Sequence, residues 1–450
     1  MKTPLQIVTL AVALFTALPL FAQQPAPKSV TVFSNVRIFD GKSGALSAPS
    51  HVLVRGNVIE KISTAPIPTD RRADTKLIDG GGRTLMPGLI DAHVHTMMES
   101  VSLQTGLTSE ISYLALVAGK ASEAQLQRGF TTVRDVGGAS FALKRAIDEG
   151  IIAGPRIYPS GGAISQTSGH GDFRSPTDVP RDRNTPSVYI ERVGMTFVAD
   201  GVDEVLLRSR ENLMRGATQL KLMAGGGVAS SYDPLDVTQY TLEEMQAAVK
   251  AAANWGTYVT VHAYTPEAMQ MAMKAGVKCI EHGQMVDEET AKLMAEKKVW
   301  WSLQPFLDDE DSIPFPDGSQ SRMKQLLVFR GTDRAYKLAK QYNIRTAFGT
   351  DTLFDAKLAT RQGKQLAKLV RWYTPAEVLK MATADNADLL ASCGARNPYP
   401  GKLGVVEEGA LADLLLVDGD PIADIKLVAD PEKNFLVIMK DGKVFKNTVK

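Results

Sequence analysis

Met86-Pro87-Gly88-Leu89-Ile90-Asp91-Ala92-His93-Val94-His95 reads as an apolar strand that ends in two histidines one residue apart. Side chains alternate along a strand, so His93 and His95 share a face, as joint binding of a cation requires. The bland alternative is a pair of histidines satisfied by hydrogen bonds. The rest of the chain weighs against it. Three more of the six histidines sit in short motifs tied to expected strands: His170 in Ser168-Gly169-His170-Gly171-Asp172, His262 in Val259-Thr260-Val261-His262-Ala263, and His282 in Ile280-Glu281-His282-Gly283. Only His51 lacks such a setting. Neutral imidazole is the commonest metal ligand, so the pattern points first to a metal site.

Outward from that strand, apolar runs alternate with amphipathic helical patterns. Strands are expected over 89–93, 131–135, 156–160, 219–223, 258–262, 277–281, 299–303 and 345–349, with helices between them, among others over 242–253, 266–275, 288–296 and 334–341. Eight strands alternating with helices are the signature of a (β/α)8 TIM barrel, whose strand C-termini converge on one mouth. The long irregular stretch 165–198 carries His170, and a loop of that length inside a compact domain is usually functional. Outside the barrel, both chain ends carry short β-type runs bounded by Gly, Asn and Asp, over 30–85 and again over 412–445. Each end is too short to close a sandwich alone, so the two are expected to combine into one small β-sandwich domain. The expected organisation is a signal peptide over 1–22, the β domain over 23–86 and 395–450, and the barrel over 87–394.

In such a barrel His93 and His95 end the first strand, Lys221 lies on the fourth, His262 ends the fifth, His282 follows the sixth and Asp351 follows the eighth. Singly, His262 and His282 could be core histidines, and Asp351, in Ala347-Phe348-Gly349-Thr350-Asp351, could cap a helix. Together at one mouth they read as ligands, with Asp351 as ligand or general base. Lys221 stands in an apolar strand, Leu220-Lys221-Leu222-Met223, where an ammonium is costly unless paired or altered. A carbamate made from this lysine and CO2 would be an anion able to bridge two metals; the alternative is a lysine snorkelling outward.

Bulk composition bounds the rest. Hydrophobic content of 44%, charged content of 22% and a formal charge of +1 describe an ordinary globular chain with no electrostatic case for nucleic acid. Two cysteines, Cys279 and Cys393, exclude a disulfide-stapled fold, though a single bridge between them stays open. Met1-Lys2, an apolar stretch from Leu5 to Phe21 and the polar, Pro-rich residues after Ala22 read as a signal peptide. Export to the periplasm is therefore expected, with no stable membrane insertion after cleavage; an uncleaved anchor is the alternative.

The motifs resemble the amidohydrolase superfamily, in the branch of metal-dependent Xaa-Pro dipeptidases, carboxypeptidases and ochratoxin amidases, with imidazolonepropionase as a more distant relative. The likeness spans nearly the whole chain after the apolar N-terminus. It rests on Met86–His95 as quoted, on Ser160-Gly161-Gly162-Ala163-Ile164-Ser165-Gln166-Thr167-Ser168-Gly169-His170-Gly171-Asp172, on Lys221-Leu222-Met223-Ala224-Gly225-Gly226-Gly227-Val228, and on Gly404-Val405-Val406-Glu407-Glu408-Gly409-Ala410-Leu411-Ala412-Asp413-Leu414. The resemblance implies two divalent ions, usually zinc: one held by His93, His95 and Asp351, the other by His262 and His282, with carboxylated Lys221 bridging. Many relatives carry a second histidine two residues after the ligand on strand five; Tyr264 stands there in this chain.

The activity so implied is release of a C-terminal amino acid from a dipeptide or an N-acyl amino acid. A hydroxide bridging the metals would attack the amide, and Asp351 would carry its proton to the leaving nitrogen. His170 would stabilise the oxyanion or contact the substrate carboxylate, unless it only staples its loop. Tyr264 and Tyr232 are further candidate substrate contacts, although Tyr232 could simply cap the glycine run. Trp300-Trp301 and the loop 305–316 are candidate pocket lining. The substrate is then a small molecule or short peptide, and a homo-oligomer is allowed. Other readings are a mononuclear cyclic-amide hydrolase or deaminase of the imidazolonepropionase type, and a non-catalytic periplasmic binding protein.

Overall fold

Eight short strands close the barrel wall, with a small added pair beside them, in the computed structural model, which describes residues 28–449 except 71, 73 and 182–184. The expected signal peptide lies outside the described residues. Before the barrel run β1 (Val30–Ile38), β2 (Ser50–Arg55), β3 (Val58–Ser63), β4 (Thr75–Asp79) and β5 (Thr84–Pro87). The wall follows, with β9 and β10 as the added pair: β6 (Leu89–Val94), β7 (Phe130–Asp135), β8 (Arg156–Pro159), β9 (Ala163–Ser165), β10 (Thr196–Val198), β11 (Leu220–Met223), β12 (Val259–Ala263), β13 (Cys279–His282), β14 (Trp300–Leu303) and β15 (Thr346–Phe348). The chain returns through β16 (Leu414–Val417), β17 (Phe435–Lys440) and β18 (Lys443–Asn447).

The wall strands pair in parallel, and most are buried along their whole length, as strands covered on both faces must be. Two joints close the ring without full ladders. Thr218 donates its N–H to the Pro159 carbonyl (2.8 Å) where β8 meets β11, and Asp351 donates to the His93 carbonyl (2.9 Å) where β15 meets β6. Buried Asn386 stitches the second joint by donating to the carbonyls of Ile90 (2.7 Å) and Phe348 (2.8 Å). The fold is a (β/α)8 barrel with a small β-sandwich domain drawn from both chain ends.

That second domain has two layers. One is built of β1, β2, β3 and β4; the other joins the end of β1 to β5, β16, β17 and β18. Strand β1 takes part in both because a register shift between Phe33 and Val36 bends it from one layer into the next. Phe33, Val54, Ile78, Leu85, Leu416 and Met439 fill the space between.

Two expectations are corrected. The stretch 165–198 is not wholly irregular: β9 and β10 pair in parallel at Ala163↔Thr196 through Ser165↔Val198, strands too short to show a period. The helix expected over 334–341 runs from Gln320 to Gln341, capped by Ser319, whose Oγ accepts the Arg322 N–H (3.2 Å). Charged residues in its first half hid the pattern, although Lys324 and Gln325 are buried. Both cysteines are free and buried, so the bridge left open by the sequence is not formed. Among the described residues no helix is long and apolar enough to cross a membrane.

Candidate active site

The ends of β6, β12 and β13 and the turn after β15 deliver His93, His95, His262, His282 and Asp351 to one mouth of the barrel. Burial fixes what each can do there. His93 is fully buried, and its Nδ1 lies 2.8 Å from Glu281 Oε2. A carboxylate only accepts, so Nδ1 carries the proton and Nε2 presents a lone pair. His95 repeats the arrangement against a backbone carbonyl, with Nδ1 2.9 Å from Gly137 O. The two Nε2 atoms then stand 3.2 Å and 3.3 Å from the same atom, Asp351 Oδ1. With both rings neutral, two lone pairs and a carboxylate oxygen facing one another repel unless a metal ion or a proton lies among them; burial opposes protonation of His93, yet Asp351 pulls its pKa up toward the protonated form. His93 Nε2 is moreover buried without a hydrogen-bond partner. Among the described residues His93, His95 and Asp351 form a group able to hold a metal ion, their candidate ligand atoms all within 4.8 Å of one another.

The support behind this group was not visible in the motifs. Glu281 is clasped by the Arg134 guanidinium at 2.7 Å and 3.0 Å, and all three side chains of the relay Arg134–Glu281–His93 are buried. Burial pushes the Glu281 carboxyl up, but Arg134 and His93 hold it well below the usual carboxylate range. Asp351 behaves likewise: burial opposes its charge, and the His93 and His95 imidazoles outweigh burial. It sits at φ 50°, in the left-handed region that an aspartate tolerates better than most residues.

The other half of the mouth holds His262, His282 and Lys221. His262 Nε2 lies 3.1 Å from Gly226 O, which leaves Nδ1 free, and His282 Nδ1 lies 2.8 Å from Gln304 Oε1, which leaves Nε2 free. Burial first, helped by neighbouring positive groups and at His282 opposed by Asp351, keeps both imidazoles well below their usual pKa and so neutral, the form that binds metal. Trp301 does not line a pocket as expected; its Nε1 donates to the His282 carbonyl (2.6 Å) and fixes that strand end. Lys221 is 1% exposed, lines the cavity with the histidines, and forms no ion pair among the described residues. Burial lowers its pKa from the usual lysine value, against the opposing pull of Glu281 and Asp351.

The glycine run after β11 serves the two imidazoles of this side. Gly226 gives its carbonyl to His262, and a Cβ on Gly227 would meet the His170 ring at 2.0 Å. His170 thereby stacks on His262, ring centroids 4.0 Å apart. Tyr264 is buried and stacks on His282 at 5.1 Å. Tyr232, in contrast, is 41% exposed and is not among the residues lining the cavity.

Two chambers meet at His170, His262 and Asp351. The one on the β6 side, about 760 Å³ counting its opening, is walled by Leu107, Phe173, Ile190, Met195 and Phe354. The other, about 780 Å³, is walled by Tyr264, Phe306, Ile313, Phe315, Val328 and Phe329, so the expected loop 305–316 does line the site. Its acidic residues Asp309 and Asp311 are already engaged by Lys368 and Arg361 from the segment after β15.

Residues 84–445 match the amidohydrolase family. This chain belongs to that family. Ochratoxinase of Aspergillus niger is 33% identical over 371 residues, which cover 80% of this chain and 75% of that protein. A crystal structure of a prolidase complexed with N-methylphosphonate-L-proline superposes with a TM-score of 0.85 at 34% identity, covering 93% of this chain and all of that one. A Xaa-Pro dipeptidase with bound methionine in its active site gives 0.79 at 30% identity, with 93% and 100% covered. This amidohydrolase is thus a hydrolase acting on amide or peptide bonds.

Proposed function

We propose that this amidohydrolase is an exported enzyme that releases a C-terminal amino acid from a dipeptide or N-acyl amino acid with apolar groups on both sides of the scissile amide. The observation that carries the reading is the pair of apolar chambers meeting at His170, His262 and Asp351. Lys221 is the one lysine or arginine among their lining residues, and the acidic pair of the second chamber is occupied by its own cations. A basic C-terminal side chain would therefore find no free carboxylate there.

Two divalent ions, most simply zinc, would be held by His93, His95 and Asp351 on one side and by His262 and His282 on the other, with Lys221, once carboxylated, as a further ligand. Such ions supply a water activated at neutral pH and polarise the amide carbonyl. The chain's own residues do the remainder. Asp351, ionised and facing both chambers, takes the proton from the attacking water and passes it to the leaving nitrogen. The neutral state of His262 and His282 keeps them available as donors. His170 faces the junction of the chambers and meets the substrate's developing oxyanion or its carboxylate; Tyr264 contributes an apolar ring and a hydroxyl to one wall. A single-metal reading of the imidazolonepropionase type does not explain a fully buried lysine beside the histidines.

The test is amino-acid release from a panel of Xaa-Pro, Xaa-Phe, Xaa-Arg and N-aroyl-amino-acid substrates by the metal-loaded enzyme. Turnover of the Phe-terminated and N-aroyl members well above Xaa-Arg is expected. Turnover confined to Xaa-Arg, or none at all, refutes the proposal.

A further inference from the structure

Asp233 lies behind the site described above and touches none of the candidate metal ligands directly. It is 1% exposed, on the segment that follows the glycine run. Its Oδ2 accepts the Gly227 N–H (2.6 Å) and stands 3.2 Å from His170 Nδ1. The Ser230 hydroxyl also meets His170 Nδ1, at 2.6 Å. Lys324, reaching in from the helix Gln320–Gln341, donates to the carbonyls of Gly227 (3.0 Å), Ser230 (3.1 Å) and Asp233 (2.8 Å) and locks this segment in place. The other carboxylate oxygen, Oδ1, has no hydrogen-bond partner, and the Lys324 ammonium is 4.0 Å away.

A staple that merely held the loop would not need this arrangement. A buried carboxylate with one unpartnered oxygen carries a desolvation cost that a neutral amide or hydroxyl avoids, so its retention asks for a use of its charge or its strictly accepting character. The nearer partner of His170 Nδ1 is the Ser230 hydroxyl, and the acceptor-only carboxylate 3.2 Å away favours the proton on Nδ1. It leaves Nε2 as the nitrogen that can meet a substrate. The ring is held from three directions: Nδ1 by Ser230 and Asp233, one face by His262, and an edge by the Cβ-free backbone of Gly227.

The geometry points to Asp233 as a positioning residue for the hydrolytic reaction, one that sets the tautomer and plane of His170 so that its Nε2 is presented at the junction of the two chambers. Ser230 is its auxiliary, and Lys324 fixes the segment that carries both. Burial works against the Asp233 charge, and His170, Ser230 and Lys324 keep the carboxyl ionised, below its usual range. This rests on the proposed role of His170 at the substrate.

A double-mutant cycle on the metal-loaded enzyme tests it, with His170→Asn, Asp233→Asn and the combined variant compared by kcat, KM, metal content and melting temperature. Asp233→Asn is expected to move the same kinetic parameter as His170→Asn, by roughly 10–100-fold, with metal content unchanged. The combined variant should then be no worse than His170→Asn alone, since residues acting as a unit are not additive. Additive losses, wild-type kinetics in Asp233→Asn, or a loss that tracks metal content or melting temperature would overturn the assignment. Should Asp233→Asn not accumulate as folded protein, Ser230→Ala enters the same cycle and is judged by the same outcomes. Wild-type kinetics in His170→Asn would instead sink the role given to His170 itself, a result distinct from a silent Asp233→Asn beside a damaged His170→Asn.

Discussion

The two halves of the barrel mouth are built on different chemistry. On the β6 side two imidazoles and a carboxylate converge within 4.8 Å, and their outer nitrogens are anchored to Glu281 and to the Gly137 carbonyl. On the β12–β13 side two neutral imidazoles face a buried lysine, and no carboxylate lies within ion-pair distance of its amine among the described residues. The first half is charge-complete as encoded. In the proposed reading the second becomes so once Lys221 gains an anionic group. If, as proposed, CO2 completes one of two metal subsites, the two should load unequally, and that asymmetry can be attacked residue by residue.

Asp351 belongs to both chambers, so its loss should erase the difference between the halves. Asp351→Asn is expected to lower kcat by roughly 10²–10⁴-fold on any accepted substrate, read by steady-state amino-acid release. Lys221→Ala should instead split them: metal content falls on the second side, activity falls with it, and the wild-type enzyme stripped by chelator regains full activity only when metal is returned together with bicarbonate. Full recovery without bicarbonate would break the distinction.

The supports differ too. Glu281→Gln strips the partner from fully buried Arg134, and breaking a buried pair on one side costs about 3–5 kcal/mol. Chemical denaturation should show that loss, together with weakened metal binding on the β6 side. A milder effect comes from Glu99, buried on the turn that follows His95, where burial pushes the carboxyl up to about 8. The folded state thus favours the neutral acid, so stability present below the ordinary carboxyl pKa is lost as pH rises toward 8. Glu99→Gln should match the wild type near pH 5 and exceed it in melting temperature near pH 8; the reverse trend would refute the linkage. Tyr232→Phe is expected to change kcat/KM by less than about twofold, because surface substitutions away from special features are nearly neutral.

Much of this was legible in the sequence because a barrel converts strand-end position into spatial convergence. His93, His95, His262, His282 and Asp351 needed no contact map once the strands were placed. Glu281 was beyond such reasoning although it adjoins His282. Alternation sends the two to different places, and His282 enters the mouth only because the chain turns at φ 72°. Arg134, Gln304 and Asp233 share that fate, since nothing local tells which buried polar residue a distant imidazole will choose. The small domain was readable as strands but not as layers, because the decisive feature is a bend inside β1. Trp300-Trp301 misled for the opposite reason: large aromatics suggest a pocket, whereas Trp301 spends its indole N–H on the backbone of His282.

Metal content by elemental analysis of the purified wild-type enzyme, prepared with bicarbonate present, bears most directly on the two-subsite account. Two divalent ions per chain, falling to one or fewer in Lys221→Ala with the fold intact, is the predicted result. A fully active wild-type enzyme holding a single ion, with Lys221→Ala unchanged in both metal and activity, would contradict it.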